Sequence, residues 1–149
     1  MRILFLCLGN ICRSPAAEGV FRDMAREAGL AVVTDSAGTG GWHVGEPPYG
    51  PMQAAARACG YDLSDLRARQ LQAADFTRFD LILAMDRQNL ADARALAPRS
   101  GGAELRLFLP EDLAAGEVPD PYYTRDFDGV LHLIEAGSRH VIERLQARG

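Results

Sequence analysis

The run MRILFLCLGNICRSP, residues 1–15, decides the reading of the fold. Its apolar part, Ile3 to Leu8, stops at Gly9-Asn10, and about eight apolar residues is far short of what spans a bilayer. No small-residue cleavage site follows it, so it reads as a buried strand rather than an export signal. Ser14-Pro15 then supplies a helix N-cap followed by proline at the first helical position. Ala17, Val20, Phe21, Met24 and Ala28 recur at spacings of three and four, the period of one helix face, and Gly29 is a C-terminal stop. The order is strand, glycine-containing loop, helix.

The same alternation continues down the chain. Ala31 to Ser36 reads as a second short strand, and Gly38 to Gly50 is an irregular, glycine- and proline-rich loop of the kind that carries function. Met52 to Ala58 is helical up to Gly60, Phe79 to Ala84 is another apolar strand, and Asn89 to Ala97 is helical until Pro98. Leu105 to Leu109 is a further short strand. Phe127, Val130, Leu131, Ile134, Val141, Ile142 and Leu145 trace one face of a long final helix with Asp126 as its N-cap. Near-continuous apolar strands between helices predict a doubly wound α/β domain of flavodoxin-like type, a four-stranded parallel sheet with helices on both faces. Its 149 residues, 48% hydrophobic, suit one domain over residues 1–149, with no internal repeat or linker.

Charge and cysteine usage exclude several classes. A net charge of −4 argues against a nucleic-acid or anionic-membrane partner. All sixteen basic residues are arginine, so the lysine-dependent nucleotide loop G-x-x-x-x-G-K-[ST] is ruled out. Three cysteines are too few for a disulfide scaffold and suit a reducing, cytoplasmic setting. The three histidines and three cysteines have no zinc spacing, and no metal or other cofactor is expected. His43, His132 and His140 read as structural or solvent-facing, Cys59 as a helix-end core thiol, and Arg67 to Arg69 as solvated surface, with a phosphopeptide groove as the alternative.

Ligands of doubly wound sheets sit beyond the C-terminal strand ends, where a loop feeds a helix N-terminus. Cys7-Leu8-Gly9-Asn10-Ile11-Cys12-Arg13-Ser14 occupies that place. Unpaired amides at the helix start favour an oxyanion, and Gly9 and Asn10 tolerate the positive φ that turns successive amides inward. A cysteine at the mouth of such a loop ionises easily, and a thiolate in a phosphate cradle is a nucleophile toward phosphorus. Arg13 closes the loop with a planar fork that can hold two phosphoryl oxygens. Ser14 can cap the helix and also hydrogen-bond the Cys7 sulfur. The leaving group needs a proton, and Asp120, stiffened between Pro119 and Pro121, is the candidate general acid and later the general base.

The C-x5-R-S segment after the first strand, with Asp120-Pro121-Tyr122-Tyr123 near the C-terminus, resembles the low-molecular-weight protein tyrosine phosphatases. Ser36-Ala37-Gly38-Thr39, Trp42-His43-Val44-Gly45, Ala68-Arg69-Gln70 and Met85-Asp86 stand in that family's order, so the likeness covers the whole chain. It implies hydrolysis of phosphotyrosine and small aryl phosphates, with Cys7 as nucleophile, Arg13 as phosphate binder and Asp120 as proton donor. It further implies that Leu8, Gly9, Asn10, Ile11, Cys12 and Ser14 bind the phosphoryl group, while Leu8, Trp42, Tyr122 and Tyr123 wall a deep slot. Ser36 would support the loop through Asn10, and Cys12 would form a reversible disulfide with Cys7. The implied partner is a phosphotyrosine-containing protein, a tyrosine kinase among the candidates.

Two positions depart from the family pattern. Many members carry histidine at the place of Leu66, in a polar network with the residue matching Glu18, and aspartate at the place of Tyr49. Two other functions compete. Arsenate reduction on the same fold would need a thiol relay, but no cysteine follows Ala84. A silent phosphate-binding module would not need Cys7, Arg13 and Asp120 together. A related arginine-directed phosphatase carries threonine where Ile11 stands.

Overall fold

The computed structural model describes residues 1–148. The apolar opening run forms β1, Arg2–Cys7, which lies inside a parallel sheet. It pairs on one side with β2, Val33–Gly38, and on the other with β3, Leu81–Ala84, which in turn pairs with β4, Glu104–Leu107. The spatial order β2-β1-β3-β4 is that of a flavodoxin-like sheet. The chain runs outward from β1 to β2 and then crosses back past β1 to β3, so the strand order reverses there and a crevice opens beyond the strand ends at Cys7 and Ala84.

The period-two geometry of β1 divides the core. Ile3, Phe5 and Cys7 face one layer, built from helix α1, Arg13–Glu27, α2, Gly50–Ala58, and α6, Phe127–Arg148. Leu4 and Leu6 face the other, over α3, Asp75–Arg78, and α4, Arg87–Leu96. The Phe5 ring meets those of Phe21 and Phe108 at centroid separations of 5.4 and 5.8 Å in tilted and edge-on contacts. α5, Pro121–Thr124, lies just before α6. No helix among the described residues is long and apolar enough to cross a membrane.

Several sequence expectations are corrected. α1 starts at Arg13 with Cys12 at its cap, so Ser14 lies inside the first turn and its hydroxyl is used elsewhere. Ala28 is exposed at the helix end, and Ala25 takes the buried place instead. β2 lies two residues later than read, because its register carries Cys7 opposite Gly38. β3 begins at Leu81 rather than Phe79, and β4 spans Glu104–Leu107, with Phe108 and Leu109 turning into the core. Cys59 caps the end of α2 and is exposed. Arg69 does not face solvent alone: it bridges Asp35 and the fully buried Asp75 at about 3 Å. The short α3, the α5 turn and a 3-10 turn at Ala114–Gly116 are less than about one and a half turns each, too brief for periodicity to reveal.

Candidate active site

The loop from Cys7 to Arg13 is shaped by where its carbonyls go. Those of Cys7, Leu8, Ile11 and Cys12 accept from the N–H groups of Thr39, Gly40, Tyr49 and Ala16 at 2.8 to 3.2 Å. With those carbonyls held outward, the intervening amides turn in, and those of Gly9, Ile11 and Arg13 have no backbone acceptor among the described residues. Asn10 takes φ 57°, the left-handed value this reversal needs, whereas Gly9, expected to share it, has no positive φ. Gly38 lets the end of β2 approach closely enough to do this, since a Cβ there would lie 2.7 Å from the Leu8 carbonyl oxygen.

The Cys7 sulfur sits at the floor, 2% exposed, and accepts from the Asn10 N–H at 3.3 Å. Ser14 Oγ lies 2.9 Å from it. A chain of fixed roles leaves the Ser14 hydroxyl free to donate to the sulfur. The Arg69 N–H must donate to Asn10 Oδ1, at 2.9 Å, so the Asn10 amide nitrogen donates to Ser14 Oγ at 2.7 Å and Ser36 Oγ at 3.0 Å. The Ser36 proton goes to Glu18 Oε1 at 2.7 Å, and the Ser14 hydroxyl has two acceptors in reach, the Cys7 sulfur at 2.9 Å and, at a longer 3.5 Å, the Ala37 carbonyl. Ser36 is thus joined to Asn10, as expected. Asn10 and Ser14 turn their side chains behind the loop rather than into the cavity; only the amide of Asn10 faces the sulfur.

Arg13 is 3% exposed, with Nη1 donating to Asp86 Oδ2 at 2.6 Å and to the Val118 carbonyl at 3.0 Å, and Nη2 lying 3.6 Å from Asp120 Oδ2. Burial opposes its charge, but Cys7, Asp86 and Asp120 outweigh that and raise its pKa above the ordinary arginine value. Asp120 caps α5, its Oδ1 accepting from the Tyr122 N–H at 3.0 Å, which leaves Oδ2 toward the loop. The segment bearing it is tied down through Val118, whose N–H donates to Met85, and through Arg87, which donates to the Ala115 carbonyl and Glu117.

These groups share one cavity of about 220 Å³, whose lining includes Cys7, Leu8, Gly9, Ile11, Cys12, Arg13, Trp42, Asp120, Tyr122 and Tyr123. Trp42 and Tyr123 are 71% and 74% exposed, so they form a rim rather than a closed wall. His43, read as structural or solvent-facing, also lines the cavity, with Nδ1 2.7 Å from Glu46 Oε2. Asp86 and the Val118 carbonyl were not singled out as site groups. The signal for Asp86 was its place just after β3, at the sheet's switch point; nothing local marks Val118. Cys12 is a free thiol, pushed up to about 12 by burial first and then by the charges of Cys7 and Asp120.

Comparison with known proteins places this geometry among relatives. Residues 2–149 match the family described as low molecular weight phosphotyrosine protein phosphatase. The chain is 42% identical to the low molecular weight protein-tyrosine-phosphatase YfkJ of Bacillus subtilis, over 97% of this chain and 95% of that one. A low molecular weight protein-tyrosine-phosphatase of Streptomyces coelicolor is 47% identical, over 92% and 88%. The crystal structure of a low molecular weight phosphotyrosine phosphatase from Vibrio cholerae superposes with a TM-score of 0.92 at 35% identity, covering 100% of this chain and 99% of its own.

Proposed function

The chain belongs to the low molecular weight phosphotyrosine protein phosphatase family, and we propose that this protein tyrosine phosphatase works through a phosphocysteine formed on Cys7. The observation that carries the mechanism is the sulfur at the centre of a loop whose carbonyls are held outward, with the Ser14 hydroxyl on one side and Arg13 closing the other. The phosphoryl oxygens take the inward amides and the Arg13 fork, which is charged at any working pH. The thiolate attacks phosphorus, the P–O bond to the phenol breaks, and Asp120, protonated, gives its proton to the leaving oxygen. Asp120 then accepts a proton from the water that cleaves the S–P bond, releasing phosphate and restoring the thiolate, which the Ser14 proton stabilises. Depth selects the substrate: Leu8, Trp42, Tyr122 and Tyr123 border a slot that an aryl phosphate reaches through and a shorter phosphoserine does not.

Cys12 is a thiol during turnover. After peroxide converts Cys7 to a sulfenic acid, Cys12 displaces water to give a disulfide, which protects the nucleophile from further oxidation. A cytoplasmic, reducing setting suits both thiols. The partner is a phosphotyrosine protein, with tyrosine kinases among the candidates.

Hydrolysis of para-nitrophenyl phosphate at mildly acidic pH with chelator present tests the mechanism. Turnover is expected to vanish in Cys7→Ser, and kcat is expected to fall about 10²- to 10⁴-fold in Asp120→Ala. No turnover by the fully reduced, unmodified protein would overturn the proposal and move arsenate reduction or silent phosphate binding to the front.

A further inference from the structure

Arg125 stands beside Tyr122, one of the slot-lining residues, in an arrangement that the chemistry of the loop does not use. It follows α5 in the left-handed conformation, φ 63°, with its N–H bonded to the Pro121 carbonyl at 2.8 Å. Its guanidinium lies 5.3 Å from the centroid of the Tyr49 ring and 5.1 Å from that of Phe127. Nη1 donates to Tyr49 Oη at 3.2 Å and to the Tyr122 carbonyl at 3.3 Å. Two aromatic faces and two hydrogen bonds hold a side chain that ordinarily sweeps many rotamers. Tyr49 is in turn fixed to the phosphate loop, its N–H donating to the Ile11 carbonyl at 2.8 Å, and its ring packs 5.3 Å from that of Tyr122, which lines the slot.

The cation so held has no direct carboxylate partner: among the described residues Arg125 forms no ion pair. The carboxylates next to it are engaged elsewhere: Asp120 with the Tyr122 N–H and Arg13, and Asp126 with the Gly129 N–H at the start of α6. Glu46, the acceptor nearest His43, is taken up by that ring, with Nδ1 2.7 Å from its Oε2. The Nε and Nη2 edge of Arg125 therefore remains free, in the side-on geometry that matches a carboxylate.

We propose that Arg125, seated over the paired rings of Tyr49 and Phe127, selects peptide substrates that carry an acidic side chain flanking the phosphotyrosine. With the aryl phosphate in the slot, the peptide main chain crosses the rim, where Trp42 and Tyr123 offer apolar contact and Arg125, beside Tyr122, the unpaired charge. A single cation on a chain of net charge −4 suits one carboxylate better than a polyanion such as nucleic acid or an anionic lipid surface.

This inference rests on the phosphatase reading, and its test separates the two. Matched phosphotyrosine peptides bearing Glu, Gln or Lys at successive flanking positions are compared by kcat/KM, alongside para-nitrophenyl phosphate. The unmodified protein is expected to favour Glu over Gln about three- to fivefold at one flank, the upper range for an exposed ion pair, and less as salt rises. The Glu/Gln ratio is expected to fall to about one in Arg125→Gln, and the preference to turn toward Lys in Arg125→Glu. Because each readout is a ratio within one protein, a loss of folding or turnover common to all peptides cancels. Turnover of the aryl phosphate without acidic preference, or a preference that persists in both variants, overturns the role of Arg125. Failure on every substrate, the aryl phosphate included, overturns the phosphatase mechanism instead.

Discussion

Replacing Glu18 by glutamine should stabilise the protein at pH 8 and leave it nearly unchanged at pH 5. Glu18 lies on α1 behind the phosphate loop, 7% exposed, and takes the Ser36 hydroxyl as its one hydrogen-bond donor among the described residues. Leu66 packs against the hydrophobic core and offers no hydrogen bond where many family members have an imidazole. Burial is the main reason the carboxyl is raised from 4.5 to about 7; Asp35 and Asp65 add to it, while the Ser36 hydrogen bond and Arg22 oppose it. The folded protein then binds this proton more tightly than the unfolded chain does. Stability is full below about pH 4.5 and declines as pH rises through about 7, where the charge must be carried in a dry site. At 1.36 kcal/mol per pKa unit the loss approaches about 3 kcal/mol above both values. Glutamine keeps a carbonyl acceptor for Ser36 and does not titrate. Urea unfolding of both proteins at pH 5 and pH 8 gives the four free energies required. A variant whose advantage is the same at both pH values, or which is the weaker protein at pH 8, refutes the assignment of a buried, proton-linked carboxyl.

Three further outcomes are expected. Asn10→Ala removes the donor to Ser14 and Ser36, strips the Arg69 N–H of its acceptor and replaces, at φ 57°, a residue that tolerates the left-handed region by one that does so less readily; a stability loss of roughly 3 kcal/mol in urea unfolding, with a lower kcat, is expected. Gly137→Ala would place a Cβ 2.5 Å from Phe108 and 2.7 Å from Leu109, so overpacking of about 1–3 kcal/mol should exceed the helix-propensity gain of about 1 kcal/mol, and thermal unfolding should move down rather than up. Brief alkylation near neutral pH, read by peptide mass mapping, should spare Cys12 in the folded protein and label the exposed Cys59, since Cys12 is buried and pushed up to about 12; early labelling of Cys12 contradicts that.

Much of this molecule is local chemistry and could be read along the chain. Ile3 to Leu8 followed by Gly9-Asn10 and a helix start sets a strand, a turned loop and unpaired amides within fifteen residues. Propensity and periodicity act over that range, and Cys7 and Arg13 come with it. Asp120 was legible because two prolines and the family-like Tyr122-Tyr123 surround it. Element ends were less so: Ser14-Pro15 looks like a cap and first turn, yet the cap falls at Cys12, because the loop's closure and the Asp86 contact require Arg13 already to be helical.

Long-range pairings had no such trace. The parallel register of β1 with β3 sets Asp86 beside Arg13 across 73 positions, and the return of the chain after β4 brings the Val118 carbonyl to the same guanidinium across 105. Nothing near Tyr49 in the chain predicts that its ring will hold Arg125, or that Arg69 will supply the N–H that fixes the Asn10 amide and, through it, the Ser14 hydroxyl beside Cys7. Such contacts depend on sheet order and on which loops share the crevice, and these arise from burying two apolar faces at once. Local patterning carries Cys7 and its loop; tertiary packing supplies the groups that orient them.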